Sequence, residues 1–294
     1  MTTLKKNGLG TREGRLVFGA FALLCLVWGC NWTVMSLANG YFPPILFSAW
    51  RFGTAAVIMV AAVLILRKKL PPKRTWPWIA VTGFLQIAYG NGVMQYCLTG
   101  LDSGLTAVLS YTMPLFVAVL APWLLKERMG LGKILGILVT IAGLAIVMKA
   151  EVSGSLWFVM VALSSAFAWG LSNILLKLKL RGCDLLAVTA GQMAVGALCL
   201  AGWCAATDEG SMEWTPGAVA CLAYNAVLAS ALAFSLWNFV LSRMEASKAS
   251  VASLAVPAVG VLSGVVFLGE PLTASMMAGM LLILGGICAV QKAK

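Results

Sequence analysis

The sequence predicts an all-α membrane protein of ten transmembrane helices, built as two inverted-topology five-helix repeats. Three observations predict it. Hydrophobic residues make up 61% of the chain and charged ones 11%, with a mean hydropathy of +0.94, a composition suited to hydrocarbon rather than to a water-soluble domain. Ten apolar runs each approach the roughly 20 residues that a helix needs to cross a bilayer. Finally, the stretch from Ala107 to Gly143 returns as Ser250 to Gly286, so that Pro114 meets Pro257, Glu127 meets Glu270, Gly136 meets Gly279 and Gly143 meets Gly286.

In chain order the runs are roughly 16 to 37, 45 to 66, 77 to 97, 104 to 125, 131 to 149, 155 to 176, 184 to 205, 217 to 240, 249 to 268 and 273 to 291. Breakers separate them: Pro43-Pro44, Pro71-Pro72, Gly100 to Gly104, Gly130 to Gly132, Gly182, Gly210 and Pro216. Period-two alternation is absent, which disfavours a barrel. The first run follows Lys5, Lys6, Arg12 and Arg15, is too long for a signal peptide and lacks a small-residue cleavage site, so it is read as span 1. The duplication divides the chain into an N-terminal unit, 1–150, and a C-terminal unit, 151–294.

Of the 21 Lys and Arg residues, 19 fall before span 1, in alternate loops and at the C-terminus. The positive-inside rule therefore puts both termini in the cytoplasm of a multi-pass protein of the bacterial-type inner membrane. The same distribution explains a net charge of +11 without nucleic acid, because the basic residues alternate with spans instead of clustering on one element. An odd number of spans per repeat makes equivalent helices run in opposite directions, the arrangement of carriers that expose a midplane site alternately to each side.

Other chemistries lack their residues. The chain has no His, its eight Cys are scattered without a CxxC, and no Gly-rich loop ends in Lys-Ser or Lys-Thr. No metal, no cofactor and no ATPase partner are expected. A lipid-modifying membrane enzyme would need an acid or His cluster at one interface, and none is present, so no catalytic residue is assigned. The expected partners are lipid and a small solute, and the expected state is a monomer.

Candidate binding residues follow from helical spacing. Trp28, Asn31, Trp32 and Met35 share a face in span 1, and Ser165, Trp169, Ser172 and Asn173 share one in span 6. Trp28-Gly29 matches Trp169-Gly170 at a shift of 141, which also sets Arg51 against Gln192. In span 3, Gln86, Tyr89 and Val93 share a face; in span 8, Asn238, Ser235, Leu228 and Tyr224 do, with Gln95 paired to Asn238 at a shift of 143. An amide inside a span either glues two helices or lines a cavity. Pro114 and Pro257, about ten residues into spans 4 and 9, are candidate hinges. Each lacks an N-H for the carbonyl four residues earlier, which frees the C=O of Ser110 and Ser253 at mid-membrane, with Tyr111 beside the first. Arg51 is the one intramembrane charge, either snorkelling outward beside Trp50 or capturing a carboxylate.

The Trp-Gly-x-Asn of span 1, the Arg51-Phe52 of span 2 and the Pro-x12-Glu of spans 4 and 9, each followed by a Gly-x6-Gly span, resemble the EamA-type transporters of the drug/metabolite transporter superfamily. Within it the chain looks most like the YddG-type amino-acid exporters. That resemblance implies ten helices, an inverted repeat and export of aromatic and other amino acids. One departure stands out: Asn173 comes one residue later in its motif than Asn31 does. The substrate set expected from these readings is Trp28, Asn31, Trp32, Gln86, Tyr89, Ser110, Tyr111, Trp169, Asn173, Tyr224, Asn238 and Ser253. An amino acid with an apolar side chain suits indoles, amides and carbonyls; another small metabolite or a cationic drug is the alternative.

Overall fold

A backbone in hydrocarbon has no water to satisfy its N-H and C=O groups, so long apolar runs are driven into helices. The computed structural model describes residues 12–101, 106, 109–127, 129–148, 156–207, 212–256, 259 and 274–293, and among these the regular elements are all helical. In order they are α1 Arg12–Ala38, α2 Pro44–Ile65 and α3, which runs through Trp76–Gly83, Phe84–Gly92 and Val93–Cys97. They continue with α4 Met113–Leu125, α5 Leu131–Met148, α6 Leu156–Lys179 and α7 Leu185–Thr207. Last come α8, through Pro216–Ala223, Tyr224–Leu232 and Ala233–Arg243, the short α9 Ala246–Ala252, and α10 Ala274–Lys292. Five of these, α1, α2, α6, α7 and α8, are long and apolar enough to cross a membrane, and α4, α5 and α10 contain shorter apolar helices. Local chemistry sets the ends: Asp184 accepts from the amides of Leu186 and Ala187 ahead of α7, and Thr215 accepts from Ala218 to cap α8.

The middle segments of α3 and α8, Phe84–Gly92 and Tyr224–Leu232, are π-helical. Such turns widen the helix and loosen its carbonyls, which then seek outside donors. Here Ser165 Oγ donates to Gly90 O at 2.7 Å and Trp28 Nε1 donates to Ala229 O at 3.0 Å, so each π segment is satisfied from a helix of the other half. The two segments correspond at a shift of 140, not the 143 inferred from pairing Gln95 with Asn238. Matching amides by side-chain type missed this, because backbone geometry rather than amide identity is what recurs in α3 and α8.

Spans 4 and 9 depart from continuous helices. Residues 106, 109 and 110 are helical, Tyr111 and Thr112 form a turn, and helix resumes at Met113. In the second half, α9 ends at Ala252, Ser253 and Leu254 form the turn, and Ala255 and Val256 are helical again. Pro114 thus sits in the first turn of α4, where a missing N-H costs nothing, rather than ten residues into a helix. The expectation of a freed Ser253 carbonyl is likewise corrected, since it accepts from the Val256 amide at 2.9 Å. Pro257 lies outside the described residues.

Packing joins the two halves, pairing two sets of repeat-equivalent helices and exchanging partners between two others. α2 lies along α7 and α5 along α10, while α1 meets α8 and α6 meets α3. In the α5–α10 pair a Cβ on Gly136 would meet Gly286 and Val290, whereas one on Gly143 would meet Gly279 and Ile283. Sequence rises on one helix as it falls on the other, so the two run antiparallel, and each glycine faces the non-equivalent glycine of its repeat partner.

Candidate substrate cavity

The helix breaks, the first helix and the π segment of α3 converge on one cavity with about 600 Å3 of open space, its mouth included. α1 contributes Trp28, Asn31, Trp32 and Met35, and α2 contributes Arg51. Asn91 and Met94 come from α3, Ser110, Tyr111 and Met113 from the first break, Trp169 from α6 and Ser253 from the second break. Broken helices at membrane depth are tolerated where they line such a space.

Aromatic rings form one wall. Trp28 meets Trp169 edge-on at 5.7 Å and 85°, Trp169 stacks on Phe234 at 6.0 Å and 15°, and Trp237 lies 5.9 Å from Trp28. These offset and edge-to-face contacts are the favoured ones for ring quadrupoles. Opposite, Trp32 Nε1 reaches the Tyr111 hydroxyl at 3.4 Å. The polar groups are few and unequally engaged. Asn31 Nδ2 donates to Met35 Sδ at 2.9 Å, but its Oδ1 is buried with no donor, and the buried Trp169 Nε1 has no acceptor. A buried polar atom left unpaired costs about 1–3 kcal/mol, a cost retained where a ligand supplies the partner.

Trp28, Asn31, Trp32, Ser110, Tyr111, Trp169 and Ser253 therefore meet at the cavity. The other sequence candidates do not line it. Gln86 accepts from Gln192 at 3.3 Å, Tyr89 pairs with Ser164 at 2.8 Å, and Tyr224 donates to Val27 O at 2.7 Å. Asn173 Oδ1 accepts from Trp237 Nε1 at 3.0 Å, and Asn238 donates to Thr189 and Gln192. These five join helices to one another. Met35, from the candidate face of span 1, and Arg51 also line the cavity, as do Asn91, Met94 and Met113, which the sequence did not single out. Asn91 lies in the π segment, and its Nδ2 donates to Gln86 O at 2.7 Å. A 3.6-residue face places Gln86, Tyr89 and Val93 together, and the wider turn rotates Asn91 and Met94 inward instead.

Where the ends of α4 and α6 meet the start of α9, charged groups bridge the elements. Glu127 accepts from the amides of Ala246 and Ser247 and from Ser247 Oγ, at 2.7, 3.2 and 2.7 Å. Lys133, almost fully buried, pairs with Glu245 at 2.6 Å, and Lys177 donates to Met244 O.

Comparison with known proteins agrees with this architecture. The model of the EamA-like transporter family matches twice, over residues 16–149 and 156–291. An uncharacterized transporter of Bacillus subtilis, YoaV, is 32% identical over 269 residues, covering 89% of this chain and 92% of its own length. A probable amino-acid metabolite efflux pump of Salmonella typhimurium is 27% identical, covering 90% and 91%. One solved crystal structure shares the fold with a TM-score of 0.79 at 20% identity, over 94% of this chain and 96% of that one. With two family matches spanning nearly all of its length, the chain belongs to the EamA-like transporter family and is a membrane transporter rather than an enzyme.

Proposed function

We propose that this protein exports amino acids, with aromatic and other apolar side chains favoured, across the inner membrane by alternating access. In this reading units 1–150 and 151–294 are inverted five-helix repeats, ten helices cross the bilayer, and both termini are cytoplasmic. The antiparallel α5–α10 pair, the exchanged helix partners and the matched breaks of spans 4 and 9 support the inverted repeat. On that topology the lining residues of α1, α2 and α3 belong to the outer half of their helices, Trp169 lies near mid-span and Ser253 towards the cytoplasmic end, where the Glu127 and Lys133 contacts join α4 and α5 to the start of α9. Pro114, just after the first break, and Pro257 are the proposed hinges. The name of the Salmonella relative points to the same substrate class.

One observation carries the substrate: a single aromatic-walled lining holds both a buried amide oxygen lacking a donor and an indole N-H lacking an acceptor. An ammonium fits the first, a carboxylate oxygen fits the second, and an apolar side chain fits the rings. The test is counterflow in liposomes containing only this protein, preloaded with unlabelled phenylalanine or leucine. Labelled amino acid should accumulate transiently inside. Accumulation no greater than in protein-free liposomes would sink the proposal.

A further inference from the structure

Arg51 carries a charge that nothing described around it balances. It lies in α2, 2% exposed, and lines the cavity. It does not snorkel beside Trp50: that indole is exposed and meets Trp214 edge-on at 5.7 Å, while the guanidinium turns inward. Its Nε donates to Ser230 Oγ at 2.7 Å, its Nη1 approaches Met35 Sδ at 3.6 Å, and its Cζ stands 4.7 Å over the Phe52 ring. A hydroxyl, a thioether and a ring are all neutral. Among the described residues the ion pairs lie elsewhere, at Lys68–Asp184, Lys133–Glu245, Arg243–Glu13 and Lys248–Glu245. Guanidinium has five N-H donors, so three remain beyond those two contacts. A buried cation without a counter-charge is strongly unfavourable, and its planar fork matches a carboxylate with two parallel hydrogen bonds.

The repeat-equivalent position sharpens the contrast. Gln192 is neutral, and its side chain is spent on Gln86 and Asn238 between helices. Charge has been placed at only one of two equivalent sites, the one facing the cavity.

We infer that Arg51 is the anchor for the carboxylate of the transported solute, and so restricts transport to solutes bearing an anionic group. The inference rests on the amino-acid reading and adds a specificity rule: the amide or decarboxylated amine of a substrate amino acid is rejected, as is a cationic drug of the same shape. In the bound state the carboxylate supplies the missing counter-charge, the free Asn31 Oδ1 takes the ammonium, and the rings take the side chain.

The experiment is competition against labelled phenylalanine counterflow in proteoliposomes of the full chain. Unlabelled phenylalanine, phenylalaninamide and phenethylamine are the competitors, and Arg51→Gln and Arg51→Lys are the variants. Losing a charged hydrogen bond is worth about tenfold or more in apparent affinity, so both competitors without a carboxylate should be weaker than phenylalanine by at least that factor. Arg51→Gln should raise the KM for phenylalanine by a similar factor, while Arg51→Lys, which keeps the charge but loses the fork, should fall between. Should Arg51→Gln fail to accumulate in the membrane, the wild-type competition series decides alone. Equal competition by phenethylamine, or an unchanged KM in a well-folded Arg51→Gln, overturns the anchor and leaves the amino-acid reading standing. No counterflow of any amino acid by the wild type overturns that reading, and the anchor with it.

Discussion

At the scale of single residues, the cavity wall separates groups that hold the fold from groups free to meet a solute. Trp28 donates to Ala229 and touches three other rings, so its removal would leave both a stranded carbonyl and a void. Trp169 is half-buried, its N-H has no partner, and its loss would enlarge a space that already exists. Trp169→Ala should therefore raise the KM for phenylalanine about tenfold, roughly the value of a stacking contact plus a hydrogen bond, while the purified protein stays monodisperse and accumulates normally. Counterflow and size-exclusion profiles read the two halves of that statement; normal transport by this variant, or its absence from the membrane, would count against the assignment. Helical spacing placed Trp28, Asn31, Trp32 and Trp169 on the face that lines the cavity, since their helices keep 3.6 residues per turn there. It did not place Gln86 and Tyr89 on the cavity, because the π segment rotates the face, nor Asn173 and Asn238, because an amide that joins helices reads the same in sequence as one that faces a cavity.

At the scale of elements, the Gly-x6-Gly pattern of α5 and α10 was legible as packing, and the structure adds which atoms meet. A Cβ on Gly143 would stand 2.7 Å from Gly279 O and 2.8 Å from Ile283 N, and one on Gly286 would stand 2.6 Å from Gly136 O. Those are backbone atoms that cannot swing aside, so the helices must separate. Gly143→Ala or Gly286→Ala should lose about 1–3 kcal/mol, read as a lower apparent Tm in detergent. Gly285, next in sequence to Gly286, has nothing within 4 Å of its would-be Cβ, and Gly285→Ala should match or exceed the wild-type Tm through better helix propensity. Equal Tm values for Gly285→Ala and Gly286→Ala would mean that the crossing does not depend on close backbone approach. What composition could not reveal was the breaks in spans 4 and 9. The prolines announced an interruption, but hydropathy runs straight through Tyr111 and Ser253, and only the backbone places the turn ahead of the proline, where no amide is lost.

At the scale of the whole molecule, the question is what drives net movement. Coupling to a proton gradient needs a group that titrates on the path, most often a mid-span carboxylate or a His. This chain has no His, and none of its described acids lines the cavity. Glu127, the acid nearest to a suspect, spends both carboxylate oxygens on the first turn of α9, so it serves as a clasp between α4 and α9 rather than as a proton site. On the proposed reading transport is facilitated diffusion or exchange, with export driven by the solute's own gradient. In proteoliposomes, counterflow of phenylalanine should proceed with no ion gradient, and a pH step across the membrane at clamped voltage should leave its equilibrium distribution unchanged. Glu127→Gln should slow exchange by weakening the clasp, yet leave that pH-independence intact. Accumulation of a neutral amino acid against its gradient when only pH differs would show the uncoupled mechanism to be wrong. If Glu127→Gln then abolished the accumulation, the clasp itself would be the proton site, opening and closing with its charge.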